Sequence, residues 1–248
     1  MSPYSGDGKS VSHAIGGAVR QRSPKRLLFS TECGRRLLQS GAGNRSVTEM
    51  MSSMAVGILA FGSIAEEPGA ELAAAVARRI EVQTPFAVEF ARSSHTRDGA
   101  PTLVPVSKGG ARVPASVLVF DEPVTVADAR AMLYRRETGR LHEKGAGSGV
   151  TWIAELAGFA GTNTCLYTAL QANIHPLTVE KLAELALRSA AASAGAERRD
   201  GISYLQQQKR RGLVTPLMPA YEQALLTCTG ADDLADAWER ARSGPVRA

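Results

Sequence analysis

The chain has 248 residues, of which 44% are hydrophobic and 21% charged. That length and balance exclude a wholly disordered or collagen-like chain, and no apolar run reaches the ~18–20 residues of a membrane-spanning helix. The net charge of +5 suggests a nucleic-acid partner, but residues 1–50 hold eight Lys/Arg and three acids. Taking those away leaves 21 bases against 21 acids in residues 51–248. Phosphate-backbone binding needs a concentrated basic face, so no nucleic-acid partner is expected. The three cysteines, Cys33, Cys165 and Cys228, are odd in number and far apart, which fits a reducing, cytoplasmic setting.

Residues 1–53, rich in Gly, Ser and Arg over their first fifty positions, read as a disordered extension or as a mis-assigned start upstream of Met51 or Met54. Residues 54–245 read as one domain. Val56 to Phe61 is a buried strand ending at Gly62-Ser63. A helix is expected over Glu71 to Arg79, and strand character runs from Ile80 to Arg92, with Val82, Phe86, Val88 and Phe90 at alternating or near-alternating positions. Leu103 to Val106 and Val113 to Phe120 read as further strands, with a turn at Gly109-Gly110 between them.

Thr125 with Asp128 three residues on is a capping-box pattern, opening a helix that ends near Glu137. Thr138 to Gly149 reads as a Gly-rich loop. Val150 to Leu156 and Thr164 to Leu170 read as strands. Helices follow over Thr178 to Ala194, Asp200 to Arg211, Pro219 to Cys228 and Ala231 to Arg242. Strands first and helices last indicate an α+β fold. On the last helix, Leu234, Ala237, Trp238 and Ala241 form an apolar stripe suited to core packing or to a subunit contact.

Three places carry chemistry. A buried strand stopping at Phe61-Gly62-Ser63-Ile64 exposes successive backbone N–H groups, an anion cradle, although Gly-Ser after a strand is commonly only a turn. Glu137 prolongs the helical stripe made by Leu133, Ala129 and Val126, where burial and the helix C-terminus would both raise the carboxyl's pKa, as a general base needs. The alternative is an ion pair with Arg130 or Arg136. Arg92 to Gly99 is a polar stretch after a strand, either a ligand-holding loop or a solvated hairpin. The four histidines show no metal-ligand spacing, and no phosphate-loop motif occurs, so neither metal nor cofactor is expected. Cys165 in an apolar strand reads as core.

In this order the pieces resemble the γ-glutamylcyclotransferase superfamily, including its ChaC-like branch. The matches are Phe61-Gly62-Ser63-Ile64, Ser94-His95-Thr96-Arg97-Asp98-Gly99, Gly110-Ala111-Arg112-Val113, Leu133-Tyr134-Arg135-Arg136-Glu137 and Ser203-Tyr204-Leu205. They span roughly residues 55–210. Two positions depart from the family: Phe61 stands in place of its Tyr, and Gly139-Arg140-Leu141 in place of the ChaC-like Gly-Tyr.

The resemblance implies a small mixed, barrel-like sheet with helices packed outside. It also implies cyclisation of a γ-glutamyl amide or peptide to 5-oxoproline, with Glu137 as acid/base. Phe61, Gly62, Ser63 and Ile64 would hold the substrate, with Tyr204 beside them and Arg97 on a second carboxylate. The only partner expected is the small γ-glutamyl substrate, with a homo-oligomer left open. A non-catalytic or regulatory binder on the same fold, and an amidohydrolase or lyase for another small acidic amide, stay open as alternatives.

Overall fold

The computed structural model describes residues 55–120, 123–139 and 152–244. The expectations for residues 1–53, for most of the Thr138–Gly149 loop, for Gly139-Arg140-Leu141 beyond Gly139, and for the first two residues of the Val150 strand lie outside the described residues.

The architecture is α+β. β1 (Val56–Ala60) runs into a one-turn helix, α1 (Ser63–Glu66), and then α2 (Ala70–Ala75). β2 (Val76–Gln83), β3 (Val88–Ser94), β4 (Ala100–Pro105) and β5 (Pro114–Phe120) follow, then α3 (Val126–Thr138). β6 (Ile153–Ala157) and β7 (Thr164–Thr168) complete the strands. The helical part comprises α4 (Val179–Ala191), α5 (Ser193–Ala196), α6 (Gly201–Arg210), α7 (Met218–Thr229) and α8 (Leu234–Ser243).

Five strands form a mixed sheet in the order β2-β5-β1-β7-β6, and β3-β4 is a separate hairpin. β1 pairs antiparallel with β5 and parallel with β7. β2 and β6 are edges, so the sheet is open among the described residues, not the barrel-like closure expected.

Alternation along the strands decides the layers. Ile58 and Ala60 of β1 and Leu118 of β5 face α3, packing on Ala129, Met132 and Leu133. Leu59, Val117 and Val119 face the opposite way, into a second cluster with Leu182, Ile202, Leu205 and Tyr221 of the helical part. β1 is therefore buried on both faces, as its unbroken apolar run requires.

Several boundaries follow local chemistry. Thr125 and Asp128 form the reciprocal capping box, and Asp200 and Asp233 cap α6 and α8 through their carboxylates. α8 thus starts at Leu234 rather than Ala231, and its Leu234, Ala237 and Ala241 are buried in the core. The helix expected over Glu71–Arg79 is a correction. It stops at Ala75, and Arg78 and Arg79 lie in β2, paired with Val119 and Leu118 of β5. Pairing with β5 overrides the high helix propensity of that Ala-rich stretch. The expected Ile80–Arg92 strand is likewise two strands, broken where the Thr84 hydroxyl donates to the Phe86 carbonyl at 2.7 Å.

The hairpin β3-β4 is fixed to the helical part by a buried carboxylate. Glu89 accepts from the Thr215 hydroxyl at 2.6 Å and from the Leu217 and Phe90 N–H groups at 3.1 and 2.9 Å. These bonds tie the start of β3 to the segment that leads into α7.

Candidate functional site

The C-terminal end of β1, the C-terminal end of α3, the β3-β4 turn and the start of α6 meet around one cavity of about 700 Å³. Phe61, Gly62, Ser63, Ile64, Arg97, Glu137 and Tyr204 all line it. The structure therefore brings all seven sequence-nominated positions, drawn from four separate segments, to one place.

Gly62 is where the chain turns off β1. Its φ of 54° and ψ of −131° suit glycine alone. A Cβ there would also stand 2.6 Å from the Tyr204 hydroxyl oxygen. Backbone angle and close approach both demand glycine. The Gly62 carbonyl accepts from Arg211 Nη1 at 3.0 Å. Among the described residues, the N–H groups of Gly62, Ser63 and Ile64 donate to no partner outside their own elements. They are the uncommitted donors that a strand-to-helix turn leaves.

Three residues of α6 and its end, Tyr204, Gln208 and Arg211, recur at helical spacing and grip this turn. Tyr204 is buried against Gly62. The Gln208 amide donates to Glu66 Oε1 at 3.3 Å, and Arg211 holds Gly62. Burial pushes the Tyr204 phenol up to about 12, against the opposing pull of Arg97. Burial likewise raises the Glu66 carboxyl above its ordinary value, with Arg211 and Arg97 pulling it back. Resemblance alone nominated Tyr204; the i, i+4, i+7 spacing of polar groups was the signal for Gln208 and Arg211.

Arg136 is the residue that sequence reasoning undervalued. Its guanidinium donates to the Glu137 carboxylate and, from both Nη atoms, to the Ser63 hydroxyl at 3.3 Å. It also donates to the Glu67 carbonyl from Nε and Nη2, at 3.1 and 2.8 Å. The end of α1 and the end of α3 are tied through one side chain. Glu137 and Arg136 are 17% and 16% exposed, so the pair is largely shielded. Of the two expected ion-pair partners Arg136 is the actual one, and Arg130 instead binds Glu155 at 2.6 Å. Glu137 is thus not the unpaired carboxyl of the stripe argument. The Arg136 cation offsets the unfavourable helix C-terminus. Next to this pair, Arg135 donates to Glu71 of α2 through Nε at 2.9 Å and a second, parallel bond.

The opposite wall is the β3-β4 turn, a hairpin that docks. Asp98, at φ 50°, accepts from the Ser193 hydroxyl and the Ala194 N–H, both at 2.7 Å. Those bonds hold its carboxyl below the ordinary range, Ser193 contributing most. Arg97 is thereby fixed over the Tyr204 ring, 5.0 Å from its centroid, with Nη1 donating to the Arg199 carbonyl at 3.1 Å. Burial lowers the Arg97 guanidinium from its ordinary value. The apolar end of the cavity is Phe61, which meets Phe86 edge-on at 5.7 Å, and Phe86 in turn packs on Tyr167 at 4.7 Å. Cys165 is buried in β7, and desolvation pushes its thiol up to about 12, which suits core rather than nucleophile.

Among the described residues no group of three or more His, Cys, Asp or Glu is placed to hold a metal ion, and no helix is long and apolar enough to cross a membrane. No family model, no curated protein and no solved structure matches the chain.

Proposed function

We propose that the chain is a γ-glutamylcyclotransferase-type enzyme on a γ-glutamylcyclotransferase-like fold, converting a small γ-glutamyl amide or peptide to 5-oxoproline with release of the amine. One observation carries the reading: an uncommitted backbone turn, a shielded carboxylate and a fixed arginine face a single cavity. Each came from a different segment of the motif series.

The substrate's α-carboxylate rests on the N–H groups of Gly62, Ser63 and Ile64. Glu137 takes a proton from the α-amine, whose nitrogen attacks the γ-carbonyl carbon. A new C–N bond closes the five-membered ring, the old amide C–N bond breaks, and Glu137 returns the proton to the departing nitrogen. Atoms and charge balance without a co-reactant. Folding the chain back on itself supplies much of the rate, because the attack is intramolecular. A positioned acid/base adds typically ~10²- to 10⁴-fold. Arg136 holds the Glu137 carboxylate at the cavity wall.

The Arg136–Glu137 ion pair also favours a second reading, a binder of the same ligands without turnover. Mass-spectrometric detection of 5-oxoproline from γ-glutamyl compounds tests the first reading. Thermal stabilisation by those compounds without product would mark the second.

A further inference from the structure

Arg211 closes α6, and the local sequence fixes where it stands. Gly212 follows at φ 73°, its N–H donating to the Lys209 carbonyl at 3.0 Å, and the Leu213 N–H donates to the Gln208 carbonyl at 3.1 Å. That pair of bonds is a Schellman ending, which needs the left-handed residue that glycine supplies. Leu213 is buried, so the end of the helix is locked into the core. A cation here also complements the partial negative charge of the last helical carbonyls.

From that fixed point Arg211 Nη1 donates to the Gly62 carbonyl at 3.0 Å. Among the described residues no carboxylate lies within 4.0 Å of its guanidinium, so no ion pair competes for it. Gly62, Ser63 and Ile64 line the cavity, whereas Arg211 does not. The peptide that joins Gly62 to Ser63 is trans, so its N–H points opposite to its C=O. Holding the carbonyl aims the Ser63 N–H away from Arg211. A cation on the carbonyl oxygen also polarises the same peptide, and hydrogen bonds in such a chain strengthen one another. Arg136 grips the Ser63 hydroxyl instead.

We propose that Arg211 is a positioning residue for the carboxylate cradle: it orients and polarises the Gly62–Ser63 peptide, so that the Ser63 N–H binds an anion more tightly than an unassisted amide would. This rests on the cyclotransferase reading for the identity of the ligand, an α-carboxylate on the Gly62–Ile64 turn. Arg211 lies beyond every motif of the resemblance and touches no ligand. Its effect is confined to one charged group of the substrate.

The test titrates 5-oxoproline and 5-oxoprolinamide, which differ only at that carboxylate, into the wild type, Arg211→Gln and Arg211→Lys by calorimetry. The wild type is expected to favour the acid by roughly 10- to 100-fold, as a charge-assisted contact implies. Arg211→Gln is expected to cut that preference on the order of 5-fold, the effect of one nearby charge, with the amide bound as before. Arg211→Lys is expected to keep part of it. An unchanged preference in Arg211→Gln, or equal weakening of acid and amide, would overturn the role, because a bond that merely docks α6 onto β1 does not distinguish the two compounds. No preference in the wild type, or binding of neither compound, would overturn it as well. Should Arg211→Gln not fold, Arg211→Lys decides, and an undiminished preference there overturns the role. In turnover of γ-glutamylglycine, Arg211→Gln is expected to raise KM with kcat close to wild type, the mark of a contact made equally in ground and transition states. A carboxylate preference that depends on Arg211, with no 5-oxoproline formed by the wild type, would overturn the reaction and leave the positioning role standing.

Discussion

Arg136 and Ser63 are 73 residues apart in sequence, yet both Nη atoms of the arginine lie 3.3 Å from the serine hydroxyl. The same guanidinium holds Glu137. The turn that would seat the substrate and the group that would move its proton thus share one anchor. Arg136→Gln removes the charge and most of the fork. Under the proposed reaction kcat is expected to fall by about 10²-fold, because reacting groups held loosely lose orientation. Stability is expected to fall by about 1.5–3 kcal/mol, the range for hydrogen bonds to a charged group. Arg136→Lys should recover the charge but not the paired geometry, giving an intermediate kcat. Steady-state kinetics and chemical denaturation on the three proteins check this. A full wild-type kcat in Arg136→Gln would remove the positioning role.

Gly62→Ala tests the turn itself. The backbone cost of placing alanine at φ 54°, ψ −131° is about 1–3 kcal/mol. The added methyl must also displace the Tyr204 hydroxyl, 2.6 Å from the ideal Cβ position. Tyr204→Phe in the Gly62→Ala background is expected to recover part of the loss, because only the steric component is shared. A double-mutant cycle read by thermal unfolding measures that recovery. Strict additivity would show that the two positions do not meet.

The acid side of the stability profile carries a recognisable sign. Burial raises the Glu66 carboxyl above its ordinary 4.5, so the folded state holds that proton more tightly than the unfolded chain does. Its contribution is present below 4.5 and is lost as pH rises through the raised folded value. Asp98, Asp128 and Asp236 are lowered and act oppositely, contributing above their ordinary 3.8 and losing that contribution as pH falls. Glu66→Gln is expected to remove the decline above pH 4.5 and to leave the acid-side loss intact. Thermal unfolding across a pH series compares the two proteins.

On the alkaline side, Tyr204 is raised from 10.0 to about 12 and Cys165 from 9.0 to about 12, both mainly by burial. Each folded-state value lies above the unfolded one, so stability falls as pH rises through that window. Tyr204→Phe is expected to flatten the segment from pH 10 to about 12, while Cys165 keeps the fall that begins near pH 9. An unchanged alkaline slope in the variant would show that the phenol is not sequestered.

What could be read from the sequence was what is local. Thr125 and Asp128 sit three residues apart, and their capping box is a contact within one turn. The apolar run Val56–Ala60 marked a strand buried on both faces because nothing polar interrupts it. The Glu137 position was legible from helical spacing, and its candidate partner Arg136 is its chain neighbour. What escaped was decided at a distance. Arg78 and Arg79 look helical after an Ala-rich stretch, but their pairing with Val119 and Leu118 makes them strand. Glu67 gives no sign in the sequence that its carbonyl will meet Arg136, 69 residues later. The open sheet follows from β2 and β6 each having one neighbour, which no single strand's pattern encodes.

The central claim is that Glu137, shielded at the cavity wall, moves the proton in an intramolecular ring closure. The direct measurement is mass-spectrometric 5-oxoproline from a panel of γ-glutamyl compounds, with wild type and Glu137→Gln run side by side and their unfolding temperatures compared. The account predicts product from at least one compound, a loss of ~10²- to 10⁴-fold in the variant, and closely similar unfolding temperatures. Undiminished 5-oxoproline from a folded Glu137→Gln protein, or no product from wild type with any compound, would contradict it.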